Sequence, residues 1–517
     1  MSVPALRVRK IAPATDVAYH VSPLTLRCYI LGEVSNLQTG RCAISKLGFW
    51  SIVMLGINSI IGAGIFLTPG AVIKLAGPLA PIAYVLAGLF AGLMAMVFAT
   101  AARYVRTNGA SYAYTTAAFG QRIGIYVGVT HAITASIAWG VLASLFVATL
   151  LRVLFPGKNW AEDTELFSVK TLTFLIFIAV LLVINLFGNR IIKWANGTST
   201  SGKIFALSMF IAGGIWIIVT QHVNNYGSSA SPGVYQRATF SLLGIVGMGQ
   251  STGSSLILAT IVALYAFMGF ESIANAAEEM HEPDRNLPRA IPLAILAVGA
   301  VYILAVVVAM LLGSDKVVSS SGTVRLAAAI GNDAFRTIVI AGALVSMFGI
   351  NVAASFGAPR LWTALADQGT LPMRLSSKNR FGVPMIAFSV TASLALAFPL
   401  ALHFDNVNLT GLAVIARFIQ FIIVPIALIA LAADRTGERS AIKRNPFTDK
   451  VLPVVAVSIS VMLVVSFDYR TIFLTQQGSP NHFSIALTAL TFVAVPAIAY
   501  LHYYRTLSSE GTIGIER

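Results

Sequence analysis

Charge is scarce in this sequence of 517 residues. Only 11% of the residues are charged, whereas 57% are hydrophobic. Soluble domains carry about 25% charged residues, so this composition excludes a soluble globular protein. The mean hydropathy is +0.81, and apolar runs recur at the length of about 20 residues that crosses a bilayer. The composition therefore predicts an all-α polytopic membrane protein.

Cysteine is nearly absent as well. The two cysteines, Cys28 and Cys42, both precede the first apolar run, on the side predicted to be cytoplasmic, where a structural disulfide is not expected. Neither has the neighbouring histidines of a metal site. The chain also lacks an HExxH motif. We therefore predict no metal, no cofactor and no enzymatic activity.

The N-terminal residues 1–46 have no continuous apolar core, and we do not expect them to be a signal peptide. A basic cytoplasmic tail that contacts anionic headgroups is the expected form. The net charge of +15 does not indicate nucleic-acid binding, because most of the 35 lysines and arginines fall in loops on one side of the predicted spans. This asymmetry predicts a multi-pass protein of the cytoplasmic membrane with both termini in the cytoplasm.

Twelve apolar segments are predicted to cross the bilayer, and no segment between them is long enough for a soluble domain. The predicted organisation is a tail at 1–46, a core of spans 1–10 at 47–433, spans 11 and 12 at 434–505, and a tail at 506–517. The spans lie near 48–69, 79–102, 121–154, 171–188, 199–220, 254–277, 290–313, 335–364, 384–402, 407–432, 451–467 and 482–503.

The first span contains Gly62, Ala63 and Gly64 in its middle. Glycine in a helix interior costs about 1 kcal/mol relative to alanine, so local unwinding is inexpensive here. Unwound backbone at membrane depth is tolerated only where protein buries it or where it lines a cavity. An interrupted span of this kind indicates a substrate site in a transporter. The alternative is that the small residues only permit close helix packing.

A second interruption is predicted in span 6, where Gly269 lies in mid-span and Glu271 follows it. Interrupted spans at positions 1 and 6 match an inverted repeat of five plus five helices. The free N–H groups and positive dipole end of one half-helix suit a carboxylate. The free carbonyls of the other break suit an ammonium, so backbone alone could hold the head group of a zwitterion.

Three charged residues in or beside the spans are functional candidates, each with a structural alternative. Glu271 is predicted to take up a proton or to gate the site, or else to bond backbone across the break. Lys203, early in span 5, could extend along the membrane to reach the interface. Glu278 lies where an inner gate would form, although a polar turn explains it nearly as well. Softer candidates are His131, Thr134, Ser136, Asn351 and Ser355.

At residues 56–70, 265–291 and 360–372 the chain resembles the bacterial amino acid permeases of the amino acid–polyamine–organocation superfamily. The similarity extends from about Lys46 to span 12. It implies the LeuT-type fold, with a five-plus-five inverted repeat, broken helices 1 and 6 and two further C-terminal helices. It also implies alternating access.

The resemblance assigns roles to the two breaks. The amides of Ala63 and Gly64 would receive a substrate carboxylate, and the carbonyls of Ile60, Tyr265 and Met268 its α-ammonium. The ring of Tyr265 would act as a lid. The whole predicted substrate-binding set is Ile60, Ile61, Gly62, Ala63, Gly64, Ile65, Tyr265, Phe267, Met268 and Gly269.

The resemblance also changes the interpretation of Lys203, which follows Gly188 at the spacing of a lysine in proton-coupled relatives. That ammonium occupies the place of the cation in sodium-coupled relatives, so a functional role is favoured over extension to the interface. Glu271 matches an acidic position linked to proton sensing in some relatives, while others have a neutral residue there. The predicted proton-coupling and gating set is Lys203, Tyr265, Glu271 and Glu278.

The predicted function is secondary active transport of amino acids, coupled to protons and independent of sodium. Its partners would be a small amino acid, the proton and the lipid bilayer. One alternative is an obligate exchanger of amino acids or polyamines, and another is a nutrient sensor that binds without transport. The sequence leaves the choice of amino acid and the oligomeric state open.

Overall fold

The computed structural model describes residues 35–36, 41–42, 48–105, 110–163, 165, 167–186, 189–226, 252–270, 283–320, 324–380, 382–434, 444–467, 469–475 and 478–513. Its contacts divide the chain into two units, Met1–Leu47 and Gly48–Arg517. In the first unit, strands β1 (Ser35–Asn36) and β2 (Arg41–Cys42) pair antiparallel.

The second unit is helical. Its first half contains α1 (Phe49–Ile60), α2 (Gly64–Ala76), α3 (Ala80–Tyr104), α4 (Ala110–Phe119), α5 (Gln121–Leu154), α6 (Val169–Leu186), α7 (Asn189–Gln221) and α8 (Thr252–Leu264). Its second half contains α9 (Pro283–Ser319), α10 (Arg325–Ala328), α11 (Asp333–Asp367), α12 (Met385–Ala401), α13 (Asn406–Ala433), α14 (Leu452–Ser466), α15 (Arg470–Phe473), α16 (His482–Ala489) and α17 (Val495–Ile513).

Short turns of other helix types connect several of these helices. The 3₁₀ turns are Gly77–Leu79, Asn159–Ala161, Tyr265–Phe267 and Met373–Leu375, and π-turns at Phe447–Val451 and Leu490–Ala494 adjoin α14 and α16.

Nine helical segments in the described part of the chain are long and apolar enough to cross a membrane. The first, Gly64–Tyr104, joins α2 to α3 through a 3₁₀ turn. Three shorter apolar helices accompany them, at Phe49–Ile60, Leu256–Phe267 and Met385–Ala401. The structure thus agrees with the predicted class, a helical protein with many membrane spans.

Several polar side chains inside these helices are satisfied by their own helix. The hydroxyls of Thr130, Thr134 and Ser136 donate to the carbonyls four residues earlier, at distances of 2.7–2.8 Å. Such bonds allow hydroxyl groups to lie at membrane depth, where water cannot satisfy them. The predicted candidates Thr134 and Ser136 are therefore occupied by local bonding.

The core lies where α3, α5, α9 and α11 pack against their neighbours. Helix α11 packs against both α5 and α7, and helix α9 packs against α3. Small residues make the close approaches. Ala83, Ala87 and Ala91 on α3 are fully buried, and a Cβ atom on Gly140 of α5 would overlap the backbone of Ala395 on α12. Helices in a membrane associate through close backbone packing of this kind, because the hydrophobic effect does not drive their association within lipid.

The helix α2 is held from several sides. It contacts α8, α9, the short helix α10 and the 3₁₀ turn Tyr265–Phe267. The side chain of Arg325, the first residue of α10, occupies the space where Gly70 of α2 would carry a Cβ atom. These contacts bring the start of α2 against the end of α8.

Candidate substrate site at two helix interruptions

The first apolar helix is interrupted where the glycines predicted it. Helix α1 ends at Ile60, and Ile61 is extended, with φ −70° and ψ 98°. The last backbone bond of α1 runs from the N–H of Ile61 to the carbonyl of Ile57, 3.0 Å away. Helix α2 then begins at Gly64. The break leaves the last carbonyls of α1 and the first N–H groups of α2 without partners in their own helices.

The second interruption begins at the end of α8. The chain passes from Leu264 into the 3₁₀ turn Tyr265–Phe267, and Met268 is extended, with φ −62° and ψ 144°. Gly269 then has φ +116°, a left-handed conformation that glycine adopts readily and other residues do not. The predicted coupling and gating residues Glu271 and Glu278 lie outside the described residues.

The two interruptions are in direct contact. A Cβ atom on Gly64 would lie 2.6 Å from the Cα atom of Ala266, and one on Gly269 would overlap the carbonyl oxygen of Ser59. The start of α2 therefore packs against the 3₁₀ turn, and the end of α1 packs against Gly269. Glycine is needed at both positions because backbone approaches backbone.

Tyr302 of α9 bridges the interruptions. Its buried hydroxyl lies 3.3 Å from the carbonyl oxygen of Ile60 and 3.1 Å from that of Ala266. The hydroxyl has one proton, so it donates to one of these carbonyls at a time. Tyr302 could not be identified from the sequence, because a single tyrosine in an apolar run carries no local signal.

Lys203 of α7 binds the end of α1. Its Nζ donates to the carbonyl oxygen of Asn58 at 2.7 Å and to Asn58 Oδ1 at 2.8 Å. The hydroxyl of Thr200 donates to the same Oδ1 at 2.6 Å. Lys203 is only 2% exposed, so its ammonium points inward and does not extend to a membrane interface.

The electrostatic role of this contact follows from its position. The carbonyl of Asn58 is among the last four of α1, where the negative end of the helix dipole lies. A cation there is stabilising, and the three N–H groups of a lysine ammonium can donate to several acceptors at once. The sequence signal for this contact is Asn58, a polar residue inside the glycine-rich stretch of the first span.

The predicted substrate-binding residues lie together around the two interruptions. Ile60, Ala63 and Ile65 are almost fully buried, whereas Gly62 and Met268 are partly exposed. Ile61, Gly64, Tyr265 and Gly269 complete this group at the breaks. Phe267 differs, because its ring points away from the break.

The ring of Phe267 packs into the helices behind the break. It lies 5.2 Å from the ring of Tyr302, edge to face. A Cβ atom on Gly88 would lie 3.2 Å from Phe267 Cζ, and Gly299 also faces this ring. Phe267 can therefore reach a bound molecule only through its backbone, and its side chain holds the 3₁₀ turn in place.

The softer candidates on α11 make interhelical bonds. Asn351 Nδ2 donates to the carbonyl oxygen of Leu142 on α5 at 3.1 Å and, within α11, to that of Met347 at 2.8 Å. Ser355 accepts a bond of 2.9 Å from Asn185 Nδ2. These contacts tie α11 to α5 and α6, so both residues have structural roles in this conformation.

Replacing Tyr302 with phenylalanine is expected to weaken the bridge between the interruptions. Loss of the hydroxyl should lower the stability by about 1 kcal/mol, the usual net value of such a bond. The matched control is Tyr469→Phe, which removes a hydroxyl bonded to the carbonyl of Val464 at 2.9 Å. Both variants should melt at a lower temperature, but only Tyr302→Phe should weaken the binding of a ligand at the interruptions. Equal binding by the two variants would contradict the bridging role.

A known protein family matches most of the chain. The family model described as amino acid permease matches residues 47–495. The chain belongs to the amino acid permease family. The family lies in the amino acid–polyamine–organocation superfamily, as the sequence resemblance indicated, and its members are membrane transporters of small molecules.

Individual relatives of this permease differ in similarity. An uncharacterized transporter of Mycobacterium tuberculosis is 73% identical over 474 residues, which cover 92% of this chain and 98% of the relative. A serine/threonine exchanger of Bacillus subtilis is 25% identical, covering 80% of this chain and 89% of the relative. A branched-chain amino acid permease of Bacillus subtilis is 23% identical, covering 83% and 89%. The permease is therefore a multi-pass membrane protein whose family transports amino acids.

Proposed function

We propose that the permease is a secondary active transporter that takes up an amino acid across the cytoplasmic membrane together with a proton. The direct contact between the two interrupted helices carries this proposal. Broken helices that face each other at mid-membrane are where transporters of inverted-repeat architecture bind their substrates. Family membership supports the same substrate class.

The head group of the amino acid would be held by backbone. Ala63 and Gly64 stand at the N-terminal end of α2, where N–H groups and the helix dipole favour a carboxylate. The carbonyls at the end of α1 and at Tyr265 and Met268 would accept the α-ammonium. Tyr302 would donate to the carbonyl of Ala266 and hold the two breaks in place, which leaves the carbonyl of Ile60 for the ammonium, and Tyr265 would cover the bound molecule.

Lys203 supports independence from sodium. Its ammonium already neutralises the carbonyl end of α1 through Asn58, which is where a bound metal cation would otherwise be stabilising. A lysine can also release its proton during the transport cycle, whereas a metal ion must dissociate. We assign the coupling proton to Lys203 or Glu271, with Glu278 at the inner gate.

The helices support a chain with twelve spans. Helices α1 and α2 would form one broken span and α8 the first half of another, and α12 would be a short span. The remaining spans would be α3, α5, α6, α7, α9, α11, α13, α14, and α16 with α17. This order corresponds to a LeuT-type core of ten helices followed by two more. The placement of lysine and arginine supports termini in the cytoplasm.

Uptake by purified permease in proteoliposomes tests the proposal. Amino acids that raise the melting temperature of the protein would first be identified, because a ligand of the native state stabilises it. We expect these amino acids to accumulate when the outside is made acidic, with equal rates in sodium and potassium buffers. Accumulation that requires sodium, or that ignores the pH gradient, would contradict the coupling.

Obligate exchange is the second candidate, and the similarity to the serine/threonine exchanger favours it. In that case, labelled amino acid would enter only vesicles that had been loaded with unlabelled amino acid. Empty vesicles under a pH gradient separate the two functions directly, because a proton symporter fills them and an obligate exchanger does not.

A further inference from the structure

Helix α13 carries one charged side chain, Arg417, near its middle. The segment Asn408–Ala433 is apolar enough to cross a membrane, and a charge in the middle of such a segment is costly. Ionisable residues in spans are rare, face the interior and mark functional sites by default.

The structure places Arg417 beside the second interruption. Its guanidinium lies within electrostatic range of Tyr265 in the 3₁₀ turn and of His131 of α5. Helix α13 packs against α5 and contacts the 3₁₀ turn. The positive charge of Arg417 thus lies at the wall of the candidate site, near residues of two other elements that are distant in sequence.

A second polar group follows on the same face of α13. Gln420 lies three residues after Arg417, a spacing that brings side chains together on a helix. It is 1% exposed, and its Oε1 lies 3.5 Å from the hydroxyl of Ser111. Its Nε2 has no hydrogen-bond partner among the described residues, although a buried amide normally has one. A further N–H donor therefore lies on the same face of α13 as the guanidinium.

This position complements the backbone site. The interruptions account for the α-carboxylate and α-ammonium of an amino acid, so selection among amino acids needs side chains on the surrounding helices. Arginine binds a carboxylate through two parallel N–H···O bonds, and it repels a cationic group. We infer that Arg417 contacts the side chain of the substrate and selects amino acids that carry a carboxylate there.

This inference rests on the proposed function and is tested by pairs of ligands that differ in charge alone. Glutamate and glutamine have nearly the same shape, as do aspartate and asparagine. Purified full-length permease would be titrated with each of these four and with lysine, at one pH and ionic strength. We expect an acidic ligand to bind at least about tenfold more tightly than its amide, and lysine to bind most weakly.

Variants of Arg417 assign the preference to this residue. Arg417→Gln should remove the preference for the acid and change the affinity for the amide by less than about threefold, because only the charge pair is lost. Arg417→Lys should retain part of the preference, because it keeps the charge but not the planar fork. Arg336→Gln is the matched control, since Arg336 pairs with Asp333 one turn away on α11, and it should bind like the unmodified protein.

The outcomes separate the inference from the proposed function. Tight binding of neutral or cationic amino acids alone would overturn the inference and leave amino acid transport standing. A preference for the acid that persists in Arg417→Gln would also overturn it. If none of the natural amino acids bound, both proposals would fail. The comparison of acid with amide in the unmodified protein decides the matter even if a variant does not fold.

Discussion

Replacing Gly64 with alanine is expected to separate the two interruptions and abolish transport. The added Cβ atom would lie 2.6 Å from the Cα atom of Ala266 and 3.2 Å from its N and Cβ atoms. Backbone atoms cannot move aside as a flexible side chain can. Overpacking of this kind costs about 1–3 kcal/mol, and it also shifts the first N–H groups of α2. The expected measurements are a lower melting temperature and no detectable uptake in proteoliposomes.

Gly62→Ala is the matched control, two residues away in the same break. Its Cβ atom would lie 3.6 Å from Ile350 Cδ1, an ordinary contact, and Gly62 is not among the residues with positive φ. The variant should therefore melt within a degree or two of the unmodified protein. Gly269→Ala should be as destabilising as Gly64→Ala. Its Cβ atom would overlap the carbonyl oxygen of Ser59, and alanine is strained at the positive φ of this position. Equal melting of the Gly62 and Gly64 variants would contradict the close packing of the breaks.

The location of both interruptions could be predicted because it depends on local backbone chemistry. Gly62, Gly64 and Gly269 lower the cost of leaving the helix at those points, and such breaks are tolerated in a membrane only where they are enclosed. The apolar composition likewise predicts a helical membrane protein with many spans, since helices satisfy their own backbone groups in lipid.

The partners of the breaks could not be predicted, because they come from distant parts of the chain. Tyr302 lies 242 residues from Ile60, and Lys203 lies 145 residues from Asn58. At such separations, no pattern in the sequence indicates which residues will be in contact. The direction of the Phe267 ring is a similar case. The residue adjoins the break in sequence, yet its ring packs against Gly88 and Gly299, which belong to other helices.

Replacing Lys203 with methionine is expected to remove the proton dependence of uptake. Methionine has a similar length but carries no charge and no donors, so the terminal carbonyl and side chain of Asn58 would lose the ammonium. A buried acceptor without a partner costs about 1–3 kcal/mol. We expect a lower melting temperature, and residual uptake that no longer responds to an imposed pH gradient. The same gradient should still drive uptake by the unmodified protein.

Lys170→Met separates coupling from loss of stability. Lys170 is also buried, 3% exposed, but it belongs to α6 and its ammonium lies 4.6 Å from the ring centre of Phe404. Removing it should lower the melting temperature and leave the response to the pH gradient intact. If both lysine variants kept that response, Lys203 would have a structural role alone. Glu271→Gln would then be the decisive variant, because the coupling proton would have to bind the remaining candidate carboxylate.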